Sequence, residues 1–303
     1  MKKFRLSMSR KRMITGILFI LPWLVGFLYF YVRTLFMTGE FSLSEIEIAS
    51  GGGYNLLYVG LENFRYAFRA HASFKQVLAT SMLDMVIDVP LIIFFSLFVA
   101  MLLNRKFKGR AVVRAIFFLP IILNADAVSE ALAMQLQMMT GGISTVSSEI
   151  AASASSSVNI SYYISLFENL AMPRVVLEYI VSAVSRISDI ITASGVQIII
   201  FIAALQSIPP ALYEVSRIEG ATGYETFWKI TFPMVMPHII TNVVYTVIDA
   251  FAKSDVVDLA YETAFTDYNY GLSSVFSLVS TVLVSLLLVL VVRAIQKHTF
   301  YYN

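Results

Sequence analysis

The stretch Gln206–Pro237, QSIPPALYEVSRIEGATGYETFWKITFPMVMP, is a polar interruption between two apolar runs. Pro209 and Pro210 can open a helix, because a first-turn proline gives up only an N–H that would be unpaired anyway. The pattern predicts a helix over Ala211–Glu219, stopped by Gly220. Ala211, Val215 and Ile218, with Leu212 beside them, form a narrow apolar stripe at helical spacing, and Glu214, Arg217 and Glu219 surround it. A second short amphipathic piece carries Tyr224, Phe227 and Trp228, aromatics suited to a lipid headgroup boundary. Pro233 and Pro237 then restart an apolar run. Pattern alone is also that of a solvated loop helix lying on lipid.

The composition explains why such an interruption stands out. Of 303 residues, 58% are hydrophobic and only 14% are charged, too apolar for a soluble domain and suited to a polytopic membrane protein. There is no cysteine, which excludes a disulfide framework, a Cys-based metal site and a thiol nucleophile. His71, His238 and His298 lie far apart and have no metal-ligand spacing. Beyond an ordinary basic N-terminus, nothing supports nucleic-acid binding.

Six apolar segments follow from hydropathy. Met1–Met13 is basic, with Lys2, Lys3, Arg5, Arg10, Lys11 and Arg12, and precedes the apolar run Ile14–Val32. That run is longer than the core of a cleaved signal and lacks a small-x-small cleavage site, so a retained first span is expected. The expected spans are approximately 14–35, 77–103, 111–139, 180–206, 236–253 and 272–293, in a single membrane domain over 14–303, with residues 1–13 a cytoplasmic N-terminus. From about Phe36 to Gln76 the chain is polar enough to lie outside, with a Gly51-Gly52-Gly53 turn. Ser144–Ser161 is Ser/Ala-rich and reads as an extracytoplasmic connection. Val176–Ile190 reads as an outer interfacial helix leading to the core of span four, and Ser254–Tyr270 is acidic and outside. This layout puts fifteen of the 22 Lys and Arg on the cytoplasmic side, at the N-terminus, the basic turn Arg105–Arg114, the loop 207–235 and the tail. The positive-inside bias places both termini in the cytoplasm and requires an even number of spans. The fold class expected is all-α, with six transmembrane helices.

The spacing in the loop carries a further signal. Glu214 is followed by Gly220, then nine residues, then Ile230 and Pro233. This resembles the EAA loop of binding-protein-dependent ABC transporter permeases, whose pattern is Glu-Ala-Ala, three residues, Gly, nine residues, Ile-x-Leu-Pro. The family's frequent Asp-Gly-Ala stands here as Glu219-Gly220-Ala221. The chain departs where the two alanines become Val215 and Ser216 and the leucine becomes Phe232, changes that keep the register. VGLENFRYAF (Val59–Phe68) and FFLP (Phe117–Pro120) are similar to segments of the sugar-type permeases in this family.

The resemblance implies a type I ABC importer permease. Its EAA helix enters a groove on a cytoplasmic ATPase subunit, and closure of two ATPase subunits tilts the bundle between inward-open and outward-open states. Ala211, Glu214, Val215, Arg217, Ile218, Glu219, Gly220, Ala221, Ile230 and Pro233 are the implied ATPase-coupling residues. No phosphate-binding GxxxxGK[ST] sequence is present, so ATP and magnesium belong to another chain, and this one binds no cofactor and catalyses nothing. The implied partners are two ATPase subunits, a second related permease completing a heterodimer, an extracytoplasmic solute-binding protein, a sugar and membrane lipid. The implied location is the cytoplasmic membrane of a bacterium or archaeon.

Substrate contacts come from polar groups inside spans, since ionisable residues there are costly. Asp84 and Asp88, Asn124 and Asp126, Gln197, and Asn242, Tyr245 and Asp249 are the candidate pathway residues. Carboxylates and amides bond sugar hydroxyls and aromatic faces stack on sugar rings, although bonds between helices would use the same residue types. A permease for a non-sugar solute would carry the same loop. An ion-coupled transporter using the Asp84/Asp88 pair is the remaining alternative.

Overall fold

The computed structural model describes residues 8–48, 52–105 and 174–297, together with 108, 109, 112 and 115. The expected third span, Asn124, Asp126, the FFLP segment and the Ser/Ala-rich connection lie outside the described residues. Among the described residues, four helical stretches are long and apolar enough to cross a membrane, Thr15–Ser42, Phe74–Asn104, Gly223–Phe265 and Tyr270–Gln296. The pair Ala183–Ala193 and Gly195–Ser207 makes a fifth candidate, broken by a 50° bend.

The chain begins with α1 (Met8–Gly26), a π-helical stretch (Phe27–Val32) and α2 (Arg33–Ser42). The helix therefore outlasts its expected end near residue 35, continuing through FMTGEFS because that segment lacks proline and keeps enough apolar residues. Phe19 is 83% exposed and the apolar window of this span is not buried at all, which leaves lipid as its solvent. After α2 comes a departure from an all-helical fold, the antiparallel hairpin β1 (Ser44–Ile48) and β2 (Tyr54–Tyr58), paired Ser44 to Tyr58 and Ile48 to Tyr54. The glycine turn expected between them is present, with Gly52 and Gly53 at φ +91° and +88°, a region that favours residues without a Cβ. Two strands are marginal alone. Here the side-chain amide of Asn63 donates to the carbonyls of Ser42 (3.2 Å) and Ser44 (3.0 Å), tying the hairpin to α3 (Glu62–Arg69).

Two compact units divide the chain, one from Met1–Met82 and Phe251–Leu286, the other from Leu83–Ala250 and Leu287–Asn303. The first unit is built on a cluster of Ala67, Phe74, Leu78, Val256, Ala260, Leu272, Val275 and Phe276. These come from α3, the start of α4 (Phe74–Asn104), α10 (Asp255–Phe265) and the start of α11 (Tyr270–Gln296). Phe74 and Phe276 stack with centroids 4.1 Å apart, and the backbone N–H of Phe74 donates to Nδ1 of His71. His71 is thus a capping and packing residue.

The second unit holds the rest of α4, α5 (Arg174–Ala193), α6 (Gly195–Ser207), α7 (Pro210–Ile218), α8 (Gly223–Thr226), a π-helical turn (Phe227–Thr231) and α9 (Phe232–Ala252). The bend between α5 and α6 falls at Ser194-Gly195, a Ser/Gly pair of the kind that interrupts helices. Ser96 of α4 braces it, its hydroxyl donating to the Ile92 carbonyl and, at 3.4 Å, to the Ser194 carbonyl. The sequence places a new apolar run at Met236. In the structure the helix is instead continuous from Gly223 into α9, and the π turn, in which the Phe232 N–H reaches back to the Phe227 carbonyl, lies immediately before Pro233, a place where helices take up such an interruption.

Candidate functional site

The loop helix is defined at both ends by local chemistry. Pro210 occupies the first turn of α7. At the other end Gly220 has φ +74°. The Ala221 N–H donates to the Ser216 carbonyl (2.9 Å) and the Gly220 N–H to the Arg217 carbonyl (3.1 Å). This pair of bonds is a Schellman cap, which needs a residue that tolerates the left-handed backbone. One residue later Thr222 opens α8 with a capping box: the Glu225 N–H donates to Thr222 Oγ1 (3.3 Å), and the Thr222 N–H donates to Glu225 Oε2 (2.9 Å). The Thr222 backbone bond, reinforced by the Thr222 hydroxyl and Lys229, holds the Glu225 carboxyl below the usual glutamate range. The TGYE spacing is itself a capping-box signal in the sequence.

α7 has two distinct faces. Its inner face carries Tyr213 and buried Ser216. The Tyr213 hydroxyl pairs with Thr231 Oγ1 (3.2 Å), and Thr226 Oγ1 donates to Ser216 Oγ (3.4 Å). Its outer face carries Ala211, Glu214, Val215 and Ile218, all exposed, with Ile218 86% exposed. Arg217 and Glu219 are exposed as well. Gly220 is exposed and Ala221 half-buried in the cap. Ile230 and Pro233 are half-buried on the helical segment that runs into α9, apart from the outer face of α7. The hydroxyls of Tyr213, Ser216, Thr226 and Thr231, which hold this geometry, carry no periodic signal in the sequence.

Two polar groupings lie elsewhere in the same unit. Asp84 and Asp88, four apart on α4, both face Arg186 of α5. Asp88 Oδ1 accepts from Arg186 Nη2 (2.7 Å) and Nε (3.0 Å), and Asp84 Oδ1 lies 3.7 Å from Nη2. On α6 and α9, Gln197 and Asn242 are fully buried. Gln197 Nε2 donates to Thr246 Oγ1 (3.0 Å), which donates to the Asn242 carbonyl (2.7 Å). Gln197 Oε1 and both side-chain polar atoms of Asn242 have no hydrogen-bond partner. Burial without a partner costs about 1–3 kcal/mol for such a group. Tyr245 is 38% exposed and Asp249 half-buried on the same helix. Among the described residues no cluster of His, Asp and Glu could hold a metal ion.

The chain thus combines four to five candidate membrane spans among the described residues with a short helix, α7, whose apolar residues Val215 and Ile218 are exposed. The chain belongs to the family of binding-protein-dependent transport system inner membrane components, whose profile matches residues 78–299. It is a multi-pass membrane protein, and its family describes transport components rather than enzymes. It is 29% identical to the probable ABC transporter permease protein YesP of Bacillus subtilis, over 83% of this chain and 74% of that one. It is 23% identical to the multiple sugar-binding transport system permease protein MsmF of Streptococcus mutans, over 92% of this chain and 93% of that one. A chain in the crystal structure of a bacterial alginate ABC transporter, in complex with an alginate pentasaccharide-bound periplasmic protein, aligns with TM-score 0.59. That alignment has 19% identity and covers 97% of this chain and 98% of the other, which establishes the fold.

Proposed function

We propose that this chain is the membrane-spanning permease subunit of an ATP-driven importer for a sugar or oligosaccharide. It has six spans and both termini in the cytoplasm, and it works in the cytoplasmic membrane of a bacterium or archaeon. The observation that carries the reading is the orientation of α7: its hydroxyl face is bonded to its own chain and its apolar face, Val215 and Ile218, is left to a partner. A helix-in-groove contact with an ATPase subunit uses such a face. Glu214, Arg217 and Glu219 supply the polar rim, and Gly220 sets where the helix ends. Two ATPase copies, a second related permease and an extracytoplasmic binding protein complete the assembly, and ATP with its magnesium stays on the ATPase. Six spans follow if the apolar run at 111–139 adds one to the five candidates among the described residues.

Support for a sugar comes from the buried amides. Gln197 and Asn242 together offer donors and acceptors with no partner, and a hydroxyl both donates and accepts. Relatives named for multiple sugars and alginate point the same way. The test is affinity purification in mild detergent of the tagged chain and of an Ile218→Glu variant. Retention of an ATPase and a second permease by the wild type, with the ATPase lost from the variant, supports the reading. A well-folded chain that purifies alone and transports without ATP overturns it in favour of the ion-coupled alternative.

A further inference from the structure

Beside α7, on the side of Tyr213 and Ser216, lies a cleft of about 530 Å³ whose lining shares Arg217 with the rim proposed above. This falls within the range of about 300–1,000 Å³ typical of small-molecule sites. Its walls come from the end of α4, from Leu205 of α6, from α7 and from the turn leading into α9. Two arginines, Arg105 and Arg217, are among the residues that line it, along with half-buried Asn104 and the hydroxyl-bearing Tyr213, Ser216 and Thr226. Among the described residues, no carboxylate lines it. Of the acids nearby in sequence, Glu225 is taken by Thr222 and Lys229, Glu214 lies on the outer face of α7, and Glu219, two residues from Arg217, is exposed and is not among the residues lining the cleft. Among the described residues, neither Arg105, Arg217 nor Asn104 has a side-chain hydrogen bond or ion pair.

Two like charges facing one cleft without a counter-charge repel each other, and an anion between them removes that penalty while gaining charge-assisted hydrogen bonds. The planar fork of arginine matches phosphate oxygens two at a time, and the Asn104 amide can donate to a remaining oxygen; the hydroxyl protons of Ser216 and Thr226 are already given to the Tyr213 carbonyl and to Ser216 Oγ. We propose that this cleft is an anion site for a phosphate-bearing ligand, either an anionic phospholipid headgroup or a soluble phosphate compound. Because Arg105 is at the end of α4 and Arg217 is on α7, a ligand bound by both braces the loop helix against the bundle. Occupancy would therefore set how stiffly α7 follows its partner.

The experiment uses the purified full-length chain in two arms. In the first, nanodiscs of phosphatidylcholine alone are titrated with inorganic phosphate and followed by phosphorus NMR line broadening. In the second, mixed phosphatidylcholine and phosphatidylglycerol micelles are used, and lipid retained per chain is counted by native mass spectrometry. Arg105→Gln/Arg217→Gln is compared with Arg65→Gln/Arg69→Gln, which removes two arginines outside the cleft. The expected result is one anion per chain, bound roughly tenfold or more weakly by the cleft variant and unchanged in the control. Saturable phosphate binding identifies a soluble ligand; retained phosphatidylglycerol without phosphate binding identifies a lipid. If the double variant does not fold, Arg105→Lys, which keeps the charge but loses the fork, is expected to bind several-fold more weakly. No binding in either arm, or binding that the cleft variants leave intact, overturns the proposal.

Discussion

Substitution at Gly220 isolates the geometry of the loop helix from everything else in the molecule. A Cβ built at this position meets no atom within 4 Å, so space is not at issue. The backbone is: φ is +74°, and both bonds of the Schellman cap depend on it. An alanine there costs about 1–2 kcal/mol of torsional strain, a β-branched valine more. Asparagine, whose short side chain tolerates the left-handed region, costs little. A penalty of 1–2 kcal/mol shifts the balance between capped and frayed loop about 5–30-fold toward the frayed form. Fraying releases the Ser216 and Arg217 carbonyls and misdirects the exposed face carrying Val215 and Ile218. ATPase retention and ATP-driven uptake in proteoliposomes should therefore rank wild type and Gly220→Asn together, Gly220→Ala lower and Gly220→Val lowest, with the thermal midpoint of the chain nearly unchanged. Full coupling in Gly220→Val would refute the reasoning. So would equal damage from asparagine and valine, which would make side-chain bulk rather than torsion the cause.

Other outcomes follow from the same geometry. Ile218→Glu changes a side chain that is 86% exposed, so the melting temperature of the isolated chain should move little while ATPase association is lost. Gly271→Ala places a Cβ 2.5 Å from the Ser44 carbonyl oxygen and 3.0 Å from the Asn63 amide nitrogen, and should destabilise the fold by about 1–3 kcal/mol in thermal unfolding. Asn242→Leu removes two buried, unpartnered polar atoms and should leave stability equal or higher while lowering uptake; lower stability with intact uptake would remove Asn242 from the solute path. The depressed Glu225 carboxyl contributes stability that is present above its unfolded-state pKa and lost as pH falls through the lower folded-state value. Hydrogen exchange in Gly223–Thr226 should therefore accelerate only below the usual glutamate range, and Glu225→Gln should abolish that pH step.

Some features needed only neighbouring residues to be read. The apolar runs at 14–32, 77–103 and 272–292 stand out because lipid demands about 20 apolar residues in a row whatever they pack against. The ends of α7 were legible because Pro210 and Gly220 act through their own backbone restrictions. Local signals also marked what was missed. Glu45-Ile46-Glu47-Ile48 alternates before a triple glycine, the pattern of a strand entering a hairpin, and Thr222 with Glu225 has capping-box spacing. Pro237 suggested a fresh start where the helix in fact continues, since proline constrains the turn before it and that constraint can be absorbed within a longer helix.

By itself the sequence determined a polytopic helical membrane protein, the position and length of its loop helix, and the residue types on each face of that helix. Which face turns outward was decided by tertiary structure. An apolar stripe of Ala211, Val215 and Ile218 reads identically buried or exposed, until Tyr213 and Ser216 bond to Thr231 and Thr226 and commit the opposite side inward. The same holds for Arg186 with Asp88, 98 residues apart, and for Gln197 with Thr246, 49 apart. Backbone restrictions act within a few residues and are written locally. Which polar groups pair, and which are buried without a partner, depends on packing that brings distant helices together.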